Sequence, residues 1–269
     1  MSFRAAIITM VYNENYFLPL WCAYYGRQVG MENLYVIDHG STDGSTDALP
    51  CNRLRIPRDC FDDGQRAAMI SRLHESLLSF FDVVIYVDCD EFLVPRTDLF
   101  ASLPDYLEKH RNHTVIRAVG VDVFPERPNM PAVNPSRPLL EQRPFGFINP
   151  WESKPVISYV PVLWAPGFHE CDQPSYLDLD LWLFHMKNMD LDVSLRRLAL
   201  TRSLKWSRAS VQNGQGAHQR CSDEELINKF HQLMNRKSNM DLDSLPINEI
   251  LSKGRTSDIC QIPEQFMSF

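Results

Sequence analysis

The sequence predicts an α/β protein: a doubly wound, mostly parallel sheet flanked by helices, followed by a more irregular C-terminal part. Three observations predict it. Apolar runs alternate with helix-period stretches over the first ninety or so residues. The run 83–87 (Val-Val-Ile-Tyr-Val) has no polar interruption, which suits a strand buried on both faces. Polar clusters follow the apolar runs after Val11, Ile37 and Val87, the strand ends at which such sheets bind ligands.

Each element has its own justification. Residues 5–11 form an apolar run ending at Asn13-Glu14-Asn15. Residues 16–28 have helical spacing, with Leu20, Ala23, Tyr24 and Arg27 on neighbouring turns and Gly30 closing the helix. Residues 34–37 read as a second strand, stopped by Asp38-His39-Gly40-Ser41, and 54–56 as a short third. Ala67, Ile70, Leu73, Leu77 and Phe81 make a helical stripe ahead of the 83–87 strand. Beyond it, 99–110 predicts helix and 114–124 strand. Residues 125–155 hold eight of the 18 prolines and predict a long ordered loop, since Phe145, Phe147, Ile148 and Trp151 are too apolar for a free linker. Strands follow at 156–163 and 179–184, and helices at 190–204 and 222–236. The last opens on a capping box, Ser222 to Glu225.

The composition bounds the rest. With 269 residues, 44% hydrophobic and 23% charged, the chain can bury a sizeable core, and disordered, collagenous and disulfide-scaffold classes are excluded. One domain over 1–269 is expected: a nucleotide-side half (1–95), a second half (96–210) and a helical extension (211–269). A net charge of -7 argues against a nucleic-acid partner. No stretch reaches the roughly 18 apolar residues of a membrane span. The first apolar run is too short for a secretory leader. Seven cysteines without a CxxC pair suit reduced thiols, so a cytoplasmic protein is expected.

The sharpest chemical feature is Asp88-Cys89-Asp90-Glu91 where the 83–87 strand runs out. On extended backbone Asp88 and Asp90 face the same way and Glu91 turns from them. A hard divalent cation, Mg²⁺ or Mn²⁺, suits such a pair; a solvated acidic turn is the other reading. Residues 38–45, Asp-His-Gly-Ser-Thr-Asp-Gly-Ser, place small residues after a strand, either to cradle an anion or as an ordinary capped turn.

Together with the segment after Val11, the stretches VYNENYFLPLWCAYYGRQVGMENLYVIDHGSTDGSTD and VIYVDCDEFLVP resemble glycosyltransferase family 2-like proteins of GT-A fold. The resemblance covers about the first hundred residues. It implies a metal-dependent transfer, with inversion, of a sugar from a nucleoside-diphosphate donor, a UDP-sugar in the first instance, to a hydroxyl of a glycan or lipid-linked glycan. Val11, Asn13 and Glu14 would line the nucleotide pocket, Asp38 would meet the base or ribose, and Gln65 and Arg66 the donor. Asp88 and Asp90 would be the DxD motif on metal and diphosphate, and His185 would join the metal shell. Lys154 would neutralise diphosphate charge. Glu170 is the first candidate for the base, His169 its alternate or a metal ligand. His39 departs from the family, many members having Asp there. The cluster Arg196, Arg197, Arg202, Lys205 and Arg208 reads as donor-phosphate contacts, a peripheral contact to anionic lipid, or a solvated face. Two other functions fit the same residues: a nucleotidyltransferase on a similar sheet, or an inactive sugar- or nucleotide-binding module.

Overall fold

The computed structural model describes residues 3–127, 129–214 and 216–269; Met1 and Ser2, ahead of the first predicted strand, lie outside them, as do Pro128 in the predicted 125–155 loop and Gln215 in the predicted extension. The N-terminal half alternates β1 (Ala5–Val11), α1 (Phe17–Val29), β2 (Leu34–Asp38), β3 (Asn52–Arg55), α2 (Asp63–Leu77) and β4 (Val83–Tyr86). Next come β5 (Glu91–Pro95), α3 (Leu103–Lys109), β6 (Val115–Val123), α4 (Leu139–Gln142), β7 (Phe145–Ile148), β8 (Pro155–Ser158) and β9 (Tyr176–His185). The chain ends with α5 (Leu191–Ser203), α6 (Arg208–Gln212), α7 (Asp223–Met234), β10 (Lys237–Asp241), α8 (Ile247–Lys253) and β11 (Ile259–Gln261).

One mixed sheet runs in the order β10-β11-β7-β6-β8-β4-β1-β2-β3, with β9 branching from β6 and carrying β5 on its other side. Strands β3, β2, β1 and β4 are mutually parallel. The sheet turns antiparallel at β8, on both its β4 and β6 sides. Two reversals leave β6 pointing the same way as β4, and β9 runs parallel to β6. The carboxyl ends of β1, β2, β4, β6 and β9 therefore share one edge. Helices flank the sheet, and the α/β class is the expected one.

Strand alternation explains the uninterrupted apolar runs. All seven residues of β1 are buried. Ala5, Ile7 and Val11 meet Phe17, Trp21 and Tyr25 of α1 on one face. Ala6, Ile8 and Met10 meet Ala67 and Ile70 of α2 on the other. Both faces of the sheet are covered, so apolar residues dominate both, with Thr9 the one polar residue of β1. Each large side chain buried this way contributes roughly 1.5–3 kcal/mol.

The structure departs from the sequence reading in the second half. The 125–155 loop contains α4 and β7, and the strand beginning at 156 stops at Ser158 instead of 163. The expected helical extension also supplies β10 and β11, which extend the sheet beyond β7. Strand β5 had no counterpart in the reading. Its five residues are fully buried, but they follow the acid cluster so closely that they read as its tail.

Candidate functional site

The shared sheet edge carries the chemistry. At the end of β1, Val11 is buried and its carbonyl accepts the His39 N–H, tying the first two strand ends together. Asn13 has φ 50, a left-handed conformation that asparagine tolerates better than most residues. From it, Oδ1 accepts the Thr42 N–H at 2.7 Å, and its own N–H donates to Ser41 Oγ at 3.1 Å. Glu14 is buried; its Oε1 accepts the Phe17 N–H, capping α1, while its Oε2 pairs with Arg197. Asp38 is fully buried and both its oxygens are engaged. Oδ1 accepts the Ser41 N–H at 2.7 Å, and Oδ2 accepts from Thr46, Arg53 and Arg55. Burial alone would raise its pKa, but the Ser41 and Arg53 hydrogen bonds outweigh it and hold the carboxyl at about 2.

The end of β4 adds the first aspartate. Asp88 keeps 28% of its side chain exposed. Its Oδ1 accepts from the Tyr86 hydroxyl at 2.8 Å and pairs with Arg66, from the first turn of α2. Burial opposes its charge, yet Arg66 and Lys154 hold its pKa below the usual carboxylate value. The Arg66 guanidinium lies 4.9 Å over the Phe168 ring, and Phe168 stacks on Tyr86 at 4.0 Å. Phe168 has φ 61 and follows Gly167 at φ 85. A bulky residue in that region is strained, and such strain concentrates at functional sites. The turn presents His169. Its Nδ1 lies 2.6 Å from the Trp151 carbonyl, which can only accept, so Nδ1 carries the proton and Nε2 a free lone pair. Burial, then the Lys154 charge, push its pKa below the ordinary histidine value, so the ring is neutral at pH 7.

Behind Asp88 runs a buried circuit of charges. The Asp88 N–H donates to Glu91 Oε2 at 3.0 Å, and Glu91 Oε1 pairs with Lys154 Nζ. That ammonium also holds Glu152 Oε2 at 2.9 Å, and Glu152 Oε1 lies 3.7 Å from His185 Nδ1. His185 Nδ1 donates to Asp122 Oδ1 at 2.6 Å, leaving Nε2 3.6 Å from Asp90 Oδ2. Arg197 of α5 closes the far side, on Asp90 at 2.9 Å and on Glu14. Burial opposes every charge here, but the partners win for most. Asp90 is held well below the carboxylate range by Arg197 and His185. Lys154 is held well above the lysine value by Glu152 and Glu91, and His185 well above the histidine value by Glu152 and Asp122. For Glu91 burial wins, and its pKa is raised. Gly120 of β6 makes room for this circuit: a Cβ there would lie 2.2 Å from the Glu152 carbonyl carbon.

Among the described residues, seven carboxylates (Glu14, Asp63, Asp88, Asp90, Glu91, Asp122, Glu152) face five cationic groups (Arg66, Lys154, His185, Lys187, Arg197). The excess is negative, and a divalent cation would meet it. Asp90 and, once its Nε2 proton leaves, His185 could ligate one, and the Asp122 anchor on the other His185 nitrogen is the support that metal-ligating histidines ordinarily have. Glu91, Glu152 and His185 also place ligand atoms within 4.8 Å of one another, a set able to hold a metal ion, although the Lys154 ammonium already bonds both glutamates.

The edge thus gathers Glu14, Arg66, Asp88, Asp90, Lys154, His169 and His185. Other expected residues sit apart. Gln65 is exposed, with its backbone N–H taken by the Asp62 cap of α2. Glu170 is 72% exposed and paired with Arg117 at 2.9 Å. Lys154 stays with the gathered residues but is enclosed between two glutamates, not turned to solvent. Glu91, expected to turn away, instead anchors the Asp88 backbone. Both aspartates already have arginine partners, and the hollows of about 260 Å³ beside Tyr35 and about 140 Å³ beside Phe269 touch none of these residues. Within the basic cluster, only Arg197 turns inward to these acids among the described contacts; Arg202 pairs with Asp223. Glu152 and Asp122 were missed. A lone acid inside the apolar run 115–124 was the signal for Asp122.

No family model matches the chain, and no curated protein matches it. Among solved structures, it is similar over 44% of its length to CMP:2-keto-3-deoxy-manno-octonic acid synthetase complexed with CTP, at 12% identity and a TM-score of 0.30. It is similar over 44% of its length to a mycobacterial protein, at 14% identity and a TM-score of 0.31. The alignments span 52% and 41% of those chains. Likenesses this weak say nothing about activity. No helix among the described residues is long and apolar enough to cross a membrane.

Proposed function

We propose that this chain is a metal-dependent glycosyltransferase that moves a sugar from a nucleoside-diphosphate donor, a UDP-sugar in the first instance, to an acceptor hydroxyl on a glycan or lipid-linked glycan, with inversion. The observation that carries the reading is the gathering of Asp88, Asp90 and His185 on one sheet edge, in surroundings with excess negative charge. A diphosphate is repelled by such a site unless a cation accompanies it. Asp90 and His185 would hold a divalent ion, Mn²⁺ or Mg²⁺, which would supply charge to stabilise a departing nucleoside diphosphate.

The chain's own residues do the rest. Arg66 and Tyr86 orient Asp88 toward the donor. Glu91 and Lys154 fix the backbone that carries both aspartates. The loops around Asn13 and Asp38 form the nucleotide side, with Asp38 shaping it through Ser41 and the arginines of β3. His169 takes the proton from the acceptor hydroxyl at Nε2 as that oxygen attacks the anomeric carbon from the face opposite the diphosphate. Its neutral ring and free nitrogen give it a better claim than Glu170, which is exposed and neutralised by Arg117.

A panel of nucleotide sugars incubated with the protein, with and without Mn²⁺, tests this. Slow release of UDP from one donor, only with Mn²⁺, is the expected result, and Asp90→Asn should lower it at least about 100-fold in a folded protein. Release of pyrophosphate from a nucleoside triphosphate and a sugar acid would mark a nucleotidyltransferase instead. Thermal stabilisation by free sugar, with no effect of UDP and Mn²⁺, would mark a binding module.

A further inference from the structure

Arg197 reaches from α5 onto two acids at once. One guanidinium nitrogen bonds Asp90 Oδ2 at 2.9 Å, and the other pairs with Glu14. The group lies 4.9 Å over the ring of Phe17, whose N–H is held by the same Glu14. Both acids are almost wholly buried, with side chains 4% and 9% exposed, while Arg197 keeps 23% of its side chain in solvent. His185 Nε2 lies 3.6 Å from the same Asp90 oxygen. A divalent ion taken up by Asp90 and His185 would therefore stand beside a guanidinium bonded to the same carboxylate. Like charges at that separation repel strongly in a buried site, so the two cations compete for Asp90.

We infer that Arg197 is a resident counter-cation which Asp90 exchanges for the divalent ion, and that the displaced guanidinium then serves the donor's phosphates. The inference rests on the transferase reading above. Removing a partner from a buried acid is costly, so Asp90 needs positive charge before the metal arrives, and Arg197 supplies the closest of it, with His185 beside it. The guanidinium fork suits phosphate oxygens as well as carboxylate oxygens, so it has a second partner once a diphosphate enters. Its partial exposure gives it room to move; Asp90 and Glu14 have none. The exchange makes metal and nucleotide binding mutually dependent: the metal alone must displace Arg197 without compensation, whereas with the nucleotide the guanidinium is rehoused.

Mn²⁺ titration by calorimetry tests this on the wild-type protein, Arg197→Gln and Arg197→Lys, each with and without UDP. Wild-type protein should bind Mn²⁺ weakly alone and at least about tenfold more tightly with UDP. In Arg197→Gln, binding of Mn²⁺ alone should tighten about tenfold and most of the UDP effect should vanish. Arg197→Lys keeps a cation but loses the fork, and should fall between the wild type and Arg197→Gln. An Arg197→Gln protein of native circular dichroism whose Mn²⁺ affinity is unchanged overturns the exchange while leaving the metal site intact. No Mn²⁺ binding in any variant, even with UDP, overturns both the exchange and the metal reading on which it rests.

Discussion

One buried histidine should make a measurable contribution to acid sensitivity. His74 of α2 is fully buried, and neither ring nitrogen meets a hydrogen-bond partner. It packs edge-on against Trp164 at 4.9 Å. Burial pushes its pKa down to about 4 from 6.5; the nearby Val84 backbone pulls the other way without offsetting it. The native value lies below the unfolded one, so the unfolded chain binds the extra proton first. Stability falls as pH drops through 6.5 and levels off below about 4. Linkage between those two values gives a loss of about 2 kcal/mol from pH 7 to pH 5, and about 3 kcal/mol in all. Urea unfolding of the wild type and of His74→Phe at pH 7 and pH 5 measures it. The phenyl ring keeps the contact with Trp164 and cannot be protonated, so the variant should lose about 2 kcal/mol less over that interval. Carboxylates contribute equally to both proteins and cancel. Parallel losses in the two proteins would show that His74 is solvated or partnered at pH 5, and the argument from its burial would fail.

Two further outcomes concern the site. Gly120→Ala forces a Cβ into the backbone of Glu152 and Ser153, which cannot swing aside as a flexible side chain can. The expected cost is about 2 kcal/mol and a melting temperature several degrees lower by scanning fluorimetry, with reduced donor turnover because Glu152 and Lys154 shift together. His169→Gln should lower kcat for transfer by about 10²–10⁴-fold while UDP affinity with Mn²⁺, followed by calorimetry, stays at the wild-type level.

The parallel half of the fold was legible because its signals are local. Strands β1 and β4 are covered on both faces, so β4 reads as an unbroken apolar run and β1 as one interrupted only by Thr9, and the helices between them show clear 3.6-residue stripes. Asp88 and Asp90 were conspicuous because acids stand out at the end of such a run. Strands β5, β7, β10 and β11 were not legible, being short and defined by pairings that join residues far apart in the chain, as Gly146 with Cys260. Charge partners were hidden for the same reason. Nothing near Lys154 in the sequence announces Glu91, 63 residues away, and Arg197 was one of several basic residues until α5 docked it 107 residues from Asp90. Glu170 and His169 are neighbours in sequence with opposite surroundings, because Arg117 neutralises one and the strained Gly167-Phe168 turn presents the other.

The two aspartates ride on a very short span. Tyr86 ends β4 in the main sheet, and Glu91 begins β5 in the branch, where it pairs with His185 of β9. Residues 87–90 therefore bridge a fork, gripped by a ladder on each side. Shifting them would mean shearing one ladder against the other, at a cost of several backbone bonds. Helix α5 meets this edge through Arg197 on Asp90, and is itself anchored by buried Val193 and Leu198 and by the Arg202–Asp223 pair. The stretch that carries both aspartates is thus the least yielding part of this edge.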